Sequence, residues 1–174
     1  VGAFDRFRDS EIMGVRQYIE PGKHRLLVKR ASMGPSKNPE KKKLNQENTI
    51  IEFKIVRSDT MKVGSVCNLV EVSTAQGYEG NVLLVTAGIL GYEVEKMRKD
   101  PAFDSIFEAA FGEEQIFCGM CVDVVAQQVK TTKGGDYTAK TWEPVLASEY
   151  EEDGLIAPDG AYTGPEDDGE EAAA

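Results

Sequence analysis

Apolar and polar residues alternate along five stretches of this chain and recur at helical spacing in two others. The first alternating stretch is Gly22-Lys23-His24-Arg25-Leu26-Leu27-Val28-Lys29-Arg30, which predicts a strand over about 23–32. Leu26 and Val28 fall on one face; Arg25, Leu27 and Lys29 fall on the other. A second strand is predicted over about 49–57, with Ile51, Phe53 and Ile55 facing one way and Glu52 and Lys54 the other. A third follows over about 65–74, where Val66, Val70 and Val72 alternate with Cys67, Leu69 and Glu71. Gln115 to Lys130 reads as a long fourth strand with Ile116, Cys118, Met120, Val122 and Val124 on one face. Thr131 to Asp136 is a hairpin turn in which Gly134-Gly135 supplies the positive-φ residues, and Tyr137 to Val145 is the return strand.

Between the third and fourth strands the period changes. Val82 to Tyr92 is almost wholly apolar; a run this short fits a buried helix or a strand, and its position favours helix. Asp100-Pro101 is a helix start, and Phe103, Ile106, Phe107 and Ala110 then share one face until Gly112. Ahead of the strands, Phe4, Phe7, Ile12, Val15 and Ile19 form a weak helical pattern that Pro21-Gly22 stops. The expected organisation is an arm or short helix over 1–21, a body over 22–147 and a tail over 148–174. The body's order, three strands, a helical insert and a hairpin, predicts a mainly β fold. It is the order of a five-stranded OB-fold-like barrel, an architecture that often binds oligonucleotides, although a fold does not set a function.

Charge sharpens this division. The chain carries a net charge of −10. From Ser148 onward there are ten acids and no Lys or Arg, so the tail holds the whole imbalance and the body is neutral. Acidic, rich in Gly, Ala and Pro and without periodicity, the tail is expected to be disordered. Within the body, Lys23 to Lys62 holds eleven Lys or Arg against four acids, a net +7. Such asymmetry predicts a basic surface with a partner and an acidic segment apart from it. Three cysteines, an odd number, argue against a disulfide framework and for a reducing compartment. No apolar run has the length of a membrane helix, and no membrane association is expected. The N-terminal stretch lacks the apolar run of a secretory signal. A cytoplasmic location is expected.

The chain resembles the phage-encoded single-stranded DNA-binding proteins built on one OB-fold with an acidic C-terminal tail. The resemblance is carried by Tyr18 with Pro21-Gly22-Lys23, by Ile50-Ile51-Glu52-Phe53 followed by Ser58, and by Gly134, Tyr137-Thr138 and Trp142-Glu143-Pro144-Val145. It covers residues 18–147 in outline, plus the tail. It implies sequence-tolerant binding of single-stranded DNA in replication or recombination. The tail here ends Glu170-Glu171-Ala172-Ala173-Ala174, with its aromatics Tyr150 and Tyr162 inside rather than at the end.

Phosphates need cations. Arg25, Lys29, Arg30, Lys54 and Arg57 are the candidates along the strands, with Lys37, Lys41, Lys42 and Lys43 in the connecting loop. Bases need flat side chains, each stacked base contributing roughly 1–3 kcal/mol. Tyr78, Tyr137 and Trp142 are the candidates, with Lys140 on the polar face shared by Thr138 and Trp142. Phe53 shares a face with Ile51 and Ile55 and belongs to the core. The tail is expected to compete for the basic groove or to recruit replication or recombination proteins through Tyr150, Leu155, Ile156 or Tyr162.

Catalysis has little to draw on: one histidine, His24, no phosphate-binding glycine loop and no nucleophile elbow. A non-enzymatic protein without cofactor is expected. Cys118-Gly119-Met120-Cys121 has the spacing of a half metal site, but residues three apart on one strand point to opposite faces and no second pair exists. Two other readings fit the same pattern: a structural or virion interaction module, and an RNA-binding OB module.

Overall fold

The computed structural model describes residues 17–165. Five strands form one antiparallel sheet: β1 (Gly22–Pro35), β2 (Glu47–Ser58), β3 (Val66–Val72), β4 (Cys121–Lys130) and β5 (Asp136–Pro144). Their order is β3-β2-β1-β4-β5. The short helix α1 (Pro39–Lys43) lies in the β1–β2 connection, and α2 (Tyr78–Leu90), α3 (Val94–Lys99) and α4 (Phe103–Phe111) form the insert between β3 and β4. The expected mainly β fold with a helical insert is present. The expected barrel is not closed: β3 and β5 are the two edges of the sheet. The sheet curls enough for both edges to line one cavity. Part of the β3 edge is met by the segment entering β1, where the Gln17 carbonyl accepts from the Asn68 N–H at 2.9 Å and Tyr18 bridges Asn68. The rest of the expected N-terminal arm, residues 1–16, lies outside the described residues.

The core sits on the face of the sheet chosen by alternation. Leu26, Val28, Ala31, Ile51, Phe53, Ile55, Cys67, Leu69, Val122, Val124 and Ala126 form one buried cluster. α2 covers it. This helix is apolar nearly all round because both its sides are covered: Val82, Val85 and Ile89 join the main cluster, while Leu83 and Ala87 pack with Met97, Val94, Phe103 and Phe107 of α3 and α4. The Val82–Tyr92 run is therefore helix. Asp100 caps the approach to α4 by accepting from the Ala102 N–H at 2.8 Å, and Phe103, Phe107, Phe111 and Phe117 continue as successive ring contacts into the core.

The fourth strand is shorter than the Gln115–Lys130 expected. Positive φ at Gln115 and Gly119 breaks the extended path, so pairing starts at Cys121. The Gln115 side chain stands in for the missing strand: its Oε1 accepts from the Ala31 N–H at 3.0 Å and its Nε2 donates to the Ala31 carbonyl at 2.7 Å. Cys118 is exposed and Cys121 is buried. Among the described residues no group of three or more His, Cys, Asp or Glu is placed to hold a metal ion. No helix there is long and apolar enough to cross a membrane.

The expectation of a disordered tail from Ser148 onward is corrected for residues 148–165. Ala147–Asp153 is a 3-10 helix, and the chain beyond it stays on the body. Tyr150 is 1% exposed, and its hydroxyl accepts from the Cys121 N–H at 2.7 Å. Tyr150, Cys121 and Val145 form a second small core with Leu27, Val56, Leu155, Ala157 and Ala161. Composition hid this because a few apolar anchors and one pair of arginines suffice to hold an otherwise acidic segment. Residues 166–174 of the expected tail lie outside the described residues.

The seat of α2 on β5 is tight at Gly88, where a Cβ would lie 2.4 Å from the Trp142 Cβ and 3.3 Å from its carbonyl carbon. Helix propensity alone favours Gly88→Ala by about 1 kcal/mol. Overpacking against backbone opposes it with roughly 1–3 kcal/mol. The expected outcome is a lower urea midpoint; an equal or higher one would mean that helix and strand separate without cost.

Candidate nucleic-acid interface

The face of the sheet turned away from the core is divided in two. At one end it is covered by the C-terminal segment. Arg25 and Leu27 of β1 pair with Asp123 and Cys121 of β4, and all four lie at or beneath that segment. The Arg25 guanidinium is bidentate on Asp123, Nε to Oδ1 at 2.8 Å and Nη2 to Oδ2 at 2.9 Å. It also donates to Asp153 at 3.1 Å and Glu149 at 3.3 Å. Those hydrogen bonds, led by Asp123, raise its pKa further above the ordinary arginine value, against the opposing cost of burial. Arg57 donates to Asp153 and Glu152. The expectation that Arg25 and Arg57 line the groove is corrected: the structure gives both to carboxylates, and Arg25 is only 7% exposed.

The other end is open. A bulge between Val28 and Arg30 puts one extra residue into β1, and Lys29 and Arg30 are both exposed. Arg30, Ser32, Lys37, Asn48, Ile50 and Glu52 line a shallow cavity of about 470 Å³ at the root of the β1–β2 connection. Lys41, Lys42 and Lys43 stand on α1, a helix with no buried residue, which Asn38 caps by accepting from the Glu40 N–H. The expected open Lys loop is thus a helical turn on two extended strand ends. Lys54 is exposed on the same sheet face as Glu52.

A second cavity, of about 430 Å³, lies between the β3 and β5 edges. Asn68 and Val70 line it, and they pair across β3–β2 with Glu52 and Ile50 of the first cavity. The two cavities are therefore neighbours on one continuous surface. Tyr18 and Tyr137, 56% and 54% exposed, both line the second. Lys140 lies inside it, its pKa lowered by desolvation while Glu71 pulls the other way.

Of the expected aromatics only Tyr137 is open. Tyr78 is buried, its hydroxyl 2.7 Å from that of Thr49. Trp142 stacks on Phe53 at 6.0 Å and backs onto Gly88, so its ring serves the core while its edge reaches the cavity. Of the residues expected to meet protein partners, Tyr150 is core and Leu155 packs beside it. Tyr162 covers Gly91, where an added Cβ would fall 2.2 Å from the ring. Ile156 is 93% exposed. Tyr18, Asn68 and Glu71 escape sequence reasoning as site residues, because nothing in local spacing ties the entry to β1 to the edge of β5. No family model matches the chain, and no curated protein is significantly similar to it.

Two outcomes follow. Arg25→Ala leaves the buried Asp153 carboxylate to Arg57 alone and takes the bidentate partner from Asp123, and removing one member of such a network costs about 3 kcal/mol, the low end because Asp123 and Glu149 are more than a third exposed. Denaturant unfolding checks it, and Arg25→Lys restores only part, since an ammonium cannot be bidentate. Burial pushes the Cys67 and Cys121 thiols up to about 12. At mildly alkaline pH both stay protonated, so a maleimide should modify Cys118 alone in the native protein and all three thiols after denaturation.

Proposed function

We propose that this protein binds single-stranded DNA without strong sequence preference and acts in DNA replication or recombination, as phage-encoded proteins of this kind do. The observation that carries the reading is the uncovered half of the outer sheet face. Cations gather at one end of it, on Lys29, Arg30, Lys37, Lys41, Lys42, Lys43 and Lys54. Exposed tyrosines stand at the other, and β2–β3 pairs join the two. Cations for the backbone beside flat side chains for the bases are the two components that single-strand binding needs. The strand order supports the same reading: β3-β2-β1-β4-β5 is the order of an OB barrel opened between its third and fifth strands. Ile156, projecting from the docked C-terminal segment, is the apolar side chain most available there to a replication or recombination protein.

Fluorescence anisotropy with labelled oligo-dT and a matched duplex, at several salt concentrations, tests the proposal. Tighter binding to the single strand is expected. If four phosphates are neutralised, the log–log salt slope is about −3. Replacing Lys41, Lys42 and Lys43 together by glutamine should flatten the slope by up to about 2 and leave the fold intact, because all three are exposed. Equal affinity for duplex, or a slope near zero, would remove the reading and favour a protein-interaction module.

A further inference from the structure

Beyond Leu27, β1 loses its neighbour. Its pairing with β4 ends at Leu27 and Cys121, and the connection from α4 leaves a recess of about 540 Å³ beside the strand. Lys29, Arg30, Ser32, Glu113 and Cys118 are among the residues that line it. The backbone on this side of β1 is already answered. Val28 exchanges hydrogen bonds with Gly119 and Met120. The Cys118 thiol donates to the Lys29 carbonyl at 3.4 Å, and the Gln115 amide meets both backbone groups of Ala31. An added peptide strand would find few partners here. A base would find nothing to stack on, because the one ring in the lining, Phe111, is buried.

What the recess offers is charge. Lys29 and Arg30 are consecutive and exposed, brought together by the bulge. Neither side chain has a hydrogen bond or ion pair among the described residues. One acid stands against them, the exposed Glu113. Arg30 and Ser32 also line the shallow cavity at the root of the β1–β2 connection. The two recesses therefore share these residues as a ridge, and a polyanion lying in one reaches the other by crossing Arg30. We infer that the bound strand crosses β1 at Arg30 and Ser32 and lays a phosphodiester in the recess between β1 and the α4–β4 connection, held by Lys29 and Arg30. The inference rests on the single-strand-binding reading and extends its surface to a second side of β1. Cys118, on the wall of the recess, reports whether the strand is there.

The test follows N-ethylmaleimide modification of Cys118 by mass spectrometry, in the native full chain with and without oligo-dT. With free oligomer at ten times Kd, about one protein in eleven is unbound, so the modification rate should fall about tenfold. Anisotropy at several salt concentrations supplies a second readout. Lys29→Gln should flatten the log–log salt slope by about one, as the loss of one phosphate contact does. Glu113→Gln, which removes the opposing charge, should tighten oligo-dT binding by about twofold, the size of one exposed charge interaction. Should Cys118 react too slowly without oligomer to be followed, the Lys29→Gln slope decides alone. Tight binding with an unchanged Cys118 rate, or with a wild-type slope in Lys29→Gln, would overturn the recess and leave the single-strand reading standing. Absence of binding to oligo-dT would overturn both.

Discussion

A guanidinium placed inside a protein has to be met by carboxylates, and much of this structure follows from how Arg25 meets that demand. A single carboxylate from the same sheet, Asp123, satisfies two of its N–H groups. The others reach Asp153 and Glu149, which lie far along the chain in the 3-10 helix. Bidentate geometry makes the Asp123 contact directional as well as strong. Meeting the remaining N–H groups sets the C-terminal segment on the sheet, which brings Tyr150 onto the Cys121 N–H and closes the small apolar core around Leu27 and Val56. The ion pairs alone give little net stability, because desolvation offsets their attraction. Their effect is placement, and the apolar anchors add the burial that makes the placement stable.

This arrangement redistributes the basic charge. A segment of net +7 reads as one cationic wall, but Arg25 and Arg57 are already answered by Asp123, Glu149, Glu152 and Asp153. What stays available for an external anion is the far half, from Lys29 and Arg30 to the lysines of α1. The bulge at Val28/Arg30 reinforces the split, since it turns two consecutive cations outward at the point where the covering segment has ended. Acidic residues near the C-terminus thus define the limits of the basic surface.

The sequence makes the strands legible because each is half buried, and a period of two survives in Leu26/Val28, in Ile51/Phe53/Ile55 and in Val122/Val124. The hairpin is legible for the same local reason, a backbone conformation that glycine favours, although Gly134 alone of the expected Gly134-Gly135 pair adopts it. Features decided by distant partners are not. Tyr78 next to a glycine turn resembles an exposed ring until Thr49 is seen to hold its hydroxyl. Gln115 looks like a strand residue because it copies a strand's hydrogen bonds with its side chain. Ser148–Pro165 has the composition of a solvated tail, and composition carries no information about the buried arginine that it answers. The exposed cations of the β1–β2 connection are mostly visible in the sequence, as a run of lysines is visible. The cavity between β3 and β5 is not, because Tyr18, Glu71 and Lys140 come to line it only when the sheet curls.

That contrast has a physical basis. Charges that hold a flexible polyanion act through long-range, weakly directional attraction, so they can stay solvated on a short exposed helix such as α1, and any local cluster will do. Groups that distinguish one base edge from another must be held at fixed positions and shielded from competing water, because a hydrogen bond discriminates only where its loss leaves a partner unpaired. Lys140 is partly shielded in this way: burial works against its charge while Glu71 supports it. Fixed, partly dry positions require walls from several elements, here β3, β5, α2 and the entry to β1. An unclosed edge between β3 and β5 supplies them, since full pairing of those strands would fill the space with backbone hydrogen bonds. The gap that keeps the sheet from closing is therefore the feature that places a partly dry recess beside the solvated cations.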